Sequence, residues 1–472
     1  MQDQQNNKNK NKENIDLARR KLLAGIAAAS VGGAGLAACG SSSSPDASAV
    51  TQVLPDPESS GIDHIVVVMM ENRSFDHYFS WVSGATTANM AKLALKDSDG
   101  NTVSSRKLTD YQNCSLADPD HSYDGGRTHY NDGAMDGFLL TQPVGDDFPV
   151  GYYLADDLPF YKGVVANWTL CDHYFSGILS STYPNRMYMH GGQTDRNDNS
   201  VKPYSLTSVW DALGSVGRTG RYYYTDAAGW ALINVLMAGH NPGAANIRTF
   251  SRFLTDAANG DLADVTFIDP AFLSEGDGTS ADDHPLADIR KGQVWLNQIY
   301  DALRSSPAWE KTLLIINYDE WGGFYDHVAP PYAPVSYDEY KDTGNDGLLG
   351  FRVPCMAIGP RAKRGHLEQR QFDPNSILNM IAWRFGFAPL GARGATSMNF
   401  AQLLDFDSAP NLDAPAFDVP DDDSWGQACS SSTSSISAEH DAEVKRRQAE
   451  HLEEWQGLVD IAYAQGLRPD SD

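Results

Sequence analysis

Short runs of apolar and β-branched residues that stop abruptly in polar ones recur along the chain, at residues 65–70, 221–225, 265–268, 312–318 and 354–358. Near-continuous apolar runs of this length suit strands buried on both faces. Elsewhere the period lengthens to that of a helix. From about 287 to 305, Ile289, Val294, Leu296, Ile299, Tyr300 and Leu303 make one apolar stripe. Residues 374–385 carry helix signals at both ends, with Asp373 as cap, Pro374 in the first turn and Gly386 beyond the last. Residues 438–467 form a longer amphipathic segment that turns Val444, Leu452, Trp455, Leu458 and Ile461 inward. Strands alternating with crossover helices predict an α/β fold, a mostly parallel central sheet with helices on both faces.

The residues on which the runs end carry the chemistry. Run 65–70 gives way to Glu71, Asn72, Arg73, Ser74, Phe75, Asp76 and His77; run 265–268 ends at Asp269; run 312–318 ends at Asp319 and Glu320, with Asp326 and His327 shortly after. Open α/β sheets place their sites at this carboxyl edge. Several carboxylates gathered there repel one another unless a cation sits among them. Glu71, Asn72, Asp319 and Glu320 therefore offer oxygen donors from two strand ends to a hard divalent ion such as Ca²⁺, Mg²⁺ or Mn²⁺. The competing role for the same groups is capping helices and satisfying loop amides.

Thr182 stands at the head of a helix signalled by Pro184 and ended near Gly191. A hydroxyl there feels the positive end of the helix dipole and, beside a metal, ionises to a nucleophile; without one it is an ordinary N-cap. Arg186, one turn further, suits a substrate phosphate or one of the many carboxylates. His121, His284 and His327 lie in polar, turn-rich settings, each able to hydrogen-bond a phosphoryl oxygen or protonate a leaving alkoxide. His129 and His173 read as structural.

A chain of 472 residues with 41% hydrophobic and 10% aromatic content buries a large core. No low-complexity linker interrupts its interior, which favours one elaborated catalytic domain, residues 61–410, followed by an extension, 411–472. Residues 1–39 read as a targeting segment: Arg19, Arg20 and Lys21 precede the apolar run 22–38. The arginine pair resembles a twin-arginine export signal. Leu36, Ala37, Ala38 and Cys39 resemble a lipobox, with Cys39 the lipidated residue. Residues 40–60, rich in Ser and Pro, then read as a flexible tether from membrane to domain. The expected location is the cell envelope, as an exported lipoprotein. The net charge of −26 makes nonspecific nucleic-acid binding improbable. Cys114, Cys171, Cys355 and Cys429 permit two disulfides in three connectivities, with a buried free thiol at Cys355 as the alternative.

These residues resemble the bacterial phospholipase C / acid phosphatase phosphoesterase family, a branch of the alkaline-phosphatase-like superfamily. The likeness is carried by segments 62–79, 121–138, 171–188, 282–285, 318–328 and 350–365. It implies a three-layer alkaline-phosphatase-like fold and attack on phosphorus by Thr182, giving a phospho-threonine intermediate. It further implies a divalent ion (Ca²⁺, Mg²⁺, Mn²⁺ or Zn²⁺) held by Glu71, Asn72, Asp319, Glu320 and Thr182. His121, His284, Asp283 and His327 would serve the phosphoryl or leaving group. The implied substrate is a phospholipid, cleaved to diacylglycerol and a phosphorylated head group, or a range of soluble phosphomonoesters. The competing class is a non-catalytic, metal-binding surface lipoprotein. Two departures from the family pattern stand out: Pro374 where a histidine is usual, and Ser180-Ser181 in place of Gly-Pro before the nucleophile.

Overall fold

The computed structural model describes residues 51–226, 230–429 and 436–467. Cys39, the paired arginines and most of the expected tether lie outside them. Residues 51–60 are held against the domain rather than tethering it, because the Gln52 side-chain amide donates to the carbonyls of Ala401, Gln402 and Leu404.

Eight strands form the main sheet. They are β1 His64–Met70, β2 Thr169–Tyr174, β3 Gly220–Tyr224, β4 Ile247–Thr249, β5 Val265–Asp269, β6 Thr312–Tyr318, β7 Cys355–Ile358 and β8 His366–Phe372. Their spatial order is β8-β2-β7-β6-β1-β5-β3-β4, and all run parallel except β7, which is antiparallel to both neighbours. Residues 65–70 of β1 and all of β6 are buried. Alternate side chains of a strand point to opposite faces, so burial along the whole strand means that both faces of the sheet centre are covered. Two helix groups supply the cover: Pro159–Asn167, Phe250–Asn259 and Ile289–Arg304 contact one another, as do Thr182–Gly191, Val209–Ser215 and Pro374–Phe385. The three-layer α/β architecture expected from the hydrophobic pattern is the one observed.

Register brings the strand ends together. Met70 pairs with Tyr318 across β1 and β6, so Glu71 and Asp319 emerge side by side. Val68 pairs with Ile268 across β1 and β5, which brings Asp269 to the same edge. The stripe of Ile289–Arg304 buries Trp295 and leaves Val294 only half-buried, a shift of one residue from the expected pattern. In the helix Ala438–Ala464, Val444, Trp455 and Leu458 are buried as expected, whereas Leu452 is half-exposed.

Of the cysteines, Cys114 and Cys429 are joined, while Cys171 and Cys355 are buried thiols facing each other on β2 and β7. The Cys114–Cys429 bridge closes a loop of 315 residues. A cross-link over so long a loop chiefly restricts the unfolded chain and stabilises by about 2–4 kcal/mol. Cys429→Ser should lower the urea midpoint by a corresponding amount under non-reducing conditions; an unchanged midpoint would contradict this.

Candidate active site

The carboxyl edge of β1, β5 and β6 carries six buried carboxylates, Glu71, Asp269, Glu275, Asp282, Asp319 and Glu320. The local backbone is shaped to put them there. Asn72 takes a left-handed conformation at φ +54, which breaks β1 and turns its amide inward. Gly322, at φ +61, is required opposite it, since a Cβ at that position would lie 2.1 Å from the Asn72 carbonyl oxygen.

Thr182 is the first residue of the helix Thr182–Gly191, while Ser181 takes the cap position in extended backbone and makes no side-chain capping bond. The Thr182 hydroxyl is thus released from the capping role. It donates instead to Glu71 Oε1 at 2.8 Å.

Arg186, one turn along, is 3% exposed and fully committed within the protein. Its guanidinium reaches Glu71 Oε2 at 3.1 Å, Asp269 Oδ1 at 3.3 Å and Asp319 Oδ2 at 3.3 Å, and lies 4.4 Å from the Phe272 ring centroid. The substrate-phosphate role read from its sequence position is therefore corrected: Arg186 balances carboxylates. One guanidinium does not neutralise six of them. Burial pushes Asp269 up to about 7 despite Arg186. Burial, followed by the Glu71 charge, raises Asp319 well above the usual carboxylate range, and burial does the same to Glu320.

Among the described residues, Asn72 Oδ1 and Nδ2 and Glu320 Oε1 are buried with no hydrogen-bond partner, and Asp319 Oδ2 makes no hydrogen bond beyond its ion pair with Arg186. Buried polar atoms are almost always satisfied, so orphaned hard oxygens beside excess negative charge fit a divalent cation. Asn72, Asp319 and Glu320, with Glu71 and Thr182 adjoining, are the residues that would hold it.

His121 and His284 join this set. Their rings meet edge to face, with centroids 5.6 Å apart. Each places Nδ1 against a backbone carbonyl, Pro119 at 2.9 Å and Pro285 at 3.1 Å, so that nitrogen carries the proton. Ligand-type atoms of Asp118, His121 and His284 fall within 4.8 Å of one another, as do those of Glu71, Glu275 and His284.

Two other expected residues face elsewhere. Asp283 accepts hydrogen bonds from Tyr78, Tyr161 and Tyr318, at 3.0, 3.2 and 2.5 Å, within a buried tyrosine cage. It braces the loop from behind, and the residue directed at the cluster is its neighbour Asp282, which lies beside Glu275. His327 contacts Asp76 at 2.5 Å, in a separate network where Arg352 pairs with Asp76, Asp172 and Asp326. Glu275, Asp282 and Asp118 were missed because they lie in turns with no apolar run ahead of them; Asp269 had been visible as a strand end.

A polar cleft of about 450 Å³ opens over the site, bounded by Asp118, His121, Tyr123, Ser181 and, from the C-terminal helix, Arg446 and Glu454. Fold and site together define an α/β protein with a helix N-terminal hydroxyl among strand-end carboxylates. Comparison with known proteins is specific. Residues 62–388 match the model of the Phosphoesterase family. Phospholipase C B of Mycobacterium tuberculosis is 31% identical over 478 residues, covering 86% of this chain and 88% of that protein. Non-specific phospholipase C6 of Arabidopsis thaliana is 27% identical, covering 75% and 74%. Among solved structures, the lipoteichoic acid synthase LtaP from Listeria monocytogenes aligns with 87% of this chain and 96% of its own at a TM-score of 0.40 and 8% identity, too remote to carry residue roles. The chain belongs to the Phosphoesterase family and is a phosphoric ester hydrolase.

A pH dependence follows from the buried cluster. In protein stripped of divalent ions, Asp269 keeps its proton to about pH 7 when folded, against about 4 when unfolded. The native state thus holds the extra proton across this window and loses stability as pH rises and the proton leaves. Asp269→Asn should gain on wild type between about pH 4 and pH 7, read from urea midpoints at several pH values. A gap that does not change with pH would contradict the placement of this charge.

Proposed function

We propose that the protein is an exported, metal-dependent phosphoesterase of phospholipase C type that works through a phospho-threonine intermediate on Thr182. The observation that carries the reading is the 2.8 Å hydrogen bond from the Thr182 hydroxyl to Glu71, at a helix N-terminus and beside orphaned oxygens suited to a hard cation. When bound, that cation supplies charge neutralisation at the reacting phosphoryl group and lowers the pKa of a neighbouring hydroxyl.

The chain's own residues do the rest. The hydroxyl proton already points at Glu71 Oε1, which takes it as Thr182 Oγ1 bonds to phosphorus and the ester oxygen departs. Arg186 fixes the other Glu71 oxygen and holds the carboxylate in line for that transfer. His121 and His284, with Nδ1–H tied to backbone, are oriented to use Nε2; in the doubly protonated form each donates from Nε2 to a phosphoryl oxygen or gives that proton to the departing alkoxide. Water then cleaves the Thr182 phosphoester and restores the hydroxyl. Phosphate monoester hydrolysis demands a barrier reduction on the order of 20 kcal/mol, more than one side chain contributes, which favours this convergence of groups.

The phospholipase assignment is supported by the two relatives, a phospholipase C B and a non-specific phospholipase C6. The acidic surface favours zwitterionic or soluble phosphoesters over anionic membranes. Export and lipidation at Cys39 are inferred from the sequence motif, and a long-range disulfide fits an oxidising compartment.

The test assays wild type and Thr182→Ala on p-nitrophenyl phosphate and p-nitrophenylphosphorylcholine, with and without chelator. Turnover should be lost on chelation, return with divalent ion, and fall by about 10³-fold or more in Thr182→Ala. Preference for the phosphorylcholine ester would favour the phospholipase. Chelator-insensitive turnover, or turnover that survives in Thr182→Ala, would overturn the mechanism.

A further inference from the structure

The C-terminal helix Ala438–Ala464 reaches the centre of the site. Trp455, 7% exposed, donates its indole N–H to Glu275 Oε2 at 2.9 Å, and Glu275 is 1% exposed. The Trp455 ring also lies nearly parallel to Phe272, 13° between planes and 6.0 Å between centroids. Phe272 in turn faces the Arg186 guanidinium. One side chain of this helix therefore bears on a carboxylate of the cluster directly and on its balancing cation through one ring.

The helix is anchored where such a role requires. His440 Nε2 meets Asp146 Oδ2 at 2.8 Å in the buried interior, and Arg447 donates to the carbonyls of Asp118 and Thr141. Asp118 belongs to the group gathered around His121 and His284. Upstream, the Cys114–Cys429 bridge and the Gln112 bond to the Gln427 carbonyl hold residues 427 and 429 against the domain. A buried indole N–H needs an acceptor, and the one it takes here is a carboxylate of the cluster rather than a backbone carbonyl.

We propose that the C-terminal helix is a wall of the catalytic site and that Trp455 is a positioning residue, holding the Glu275 carboxylate against Glu71 and His284. The kinetic readout rests on the phosphoesterase reading above; the placement of Glu275 does not. Glu275, Glu71 and His284 present ligand-type atoms within 4.8 Å of one another, so rotation of the Glu275 carboxyl group would change the oxygen it presents to the residue that receives the Thr182 proton. The indole bond restricts that rotation.

The test is a double-mutant cycle in the full chain: wild type, Trp455→Phe, Glu275→Gln and the pair. Trp455→Phe keeps a ring against Phe272 and removes only the N–H. It should lower kcat on p-nitrophenyl phosphate by about tenfold with KM changed less than about twofold. Glu275→Gln should lose at least as much, and the double variant no more than Glu275→Gln alone. Wild-type kcat in Trp455→Phe, or losses that multiply in the double variant, would overturn the proposal. Multiplication would show that Trp455 acts through general stability, and the cycle reads this even where the urea midpoint of Trp455→Phe falls. If wild type turns over no phosphoester, the functional reading has failed instead, and the cycle is read on Mn²⁺ affinity by calorimetry, where non-additivity supports the positioning role and additivity overturns it.

Discussion

The carboxyl edge of β1, β5 and β6 poses one electrostatic problem: among the described residues, six buried carboxylates gather around the buried guanidinium of Arg186. In a medium of low effective dielectric such a group is tolerated only by taking up protons or by gathering cations. Arg186 partly answers this from inside the protein. The remaining demand is expressed in the carboxylates pushed above their usual range and in the side-chain oxygens of Asn72 and Glu320 that find no hydrogen-bond partner among the described residues. Thr182 sits among these groups, its hydroxyl tied to a carboxylate that Arg186 also grips.

The motif that follows β1 divides its labour. Glu71 and Asn72 belong to the site, whereas the residues after them hold it up. Arg73 donates to the Asp283 carbonyl at 2.7 Å and faces the Phe324 ring at 4.5 Å, fixing the loop that presents Asp282 and His284. Ser74 caps the helix Phe75–Phe79, and Asp76 joins Arg352 and His327 in a second buried network. Two charge networks thus flank the strand end, one around Thr182 and Arg186 and one around Arg352.

The sheet centre was legible in the sequence because its strands are buried on both faces and therefore read as apolar runs; β1, β5 and β6 fall where the pattern put them. The strands that escaped notice break that rule. β2 carries Asp172 and His173, and Asp172 is tolerated only because Thr86 and Arg352, distant in sequence, satisfy it. β8 and β4 are edge strands, and an edge needs fewer apolar positions. The same limit applies to the site. Groups at strand ends could be placed from sequence because register follows from parallel pairing, and Glu71, Asp269 and Asp319 came together on that basis. Side-chain direction within a turn does not follow from it. Asp282 and Asp283 differ by one position, and only the three-tyrosine cage decides which faces the cluster. His327 and Arg186 likewise show only their chemical type in the sequence, whereas Asp76 and the three carboxylates that engage them lie far away along the chain.

The most direct test of the account is to mix enzyme and p-nitrophenyl phosphate rapidly in the presence of divalent ion, quench in acid within the first turnovers and map the peptides by mass spectrometry. The account requires one added phosphoryl group, located on Thr182, that decays at the rate of steady-state turnover. Full turnover with an unmodified Thr182 peptide at every quench time, or a phosphoryl group on another residue, would contradict it.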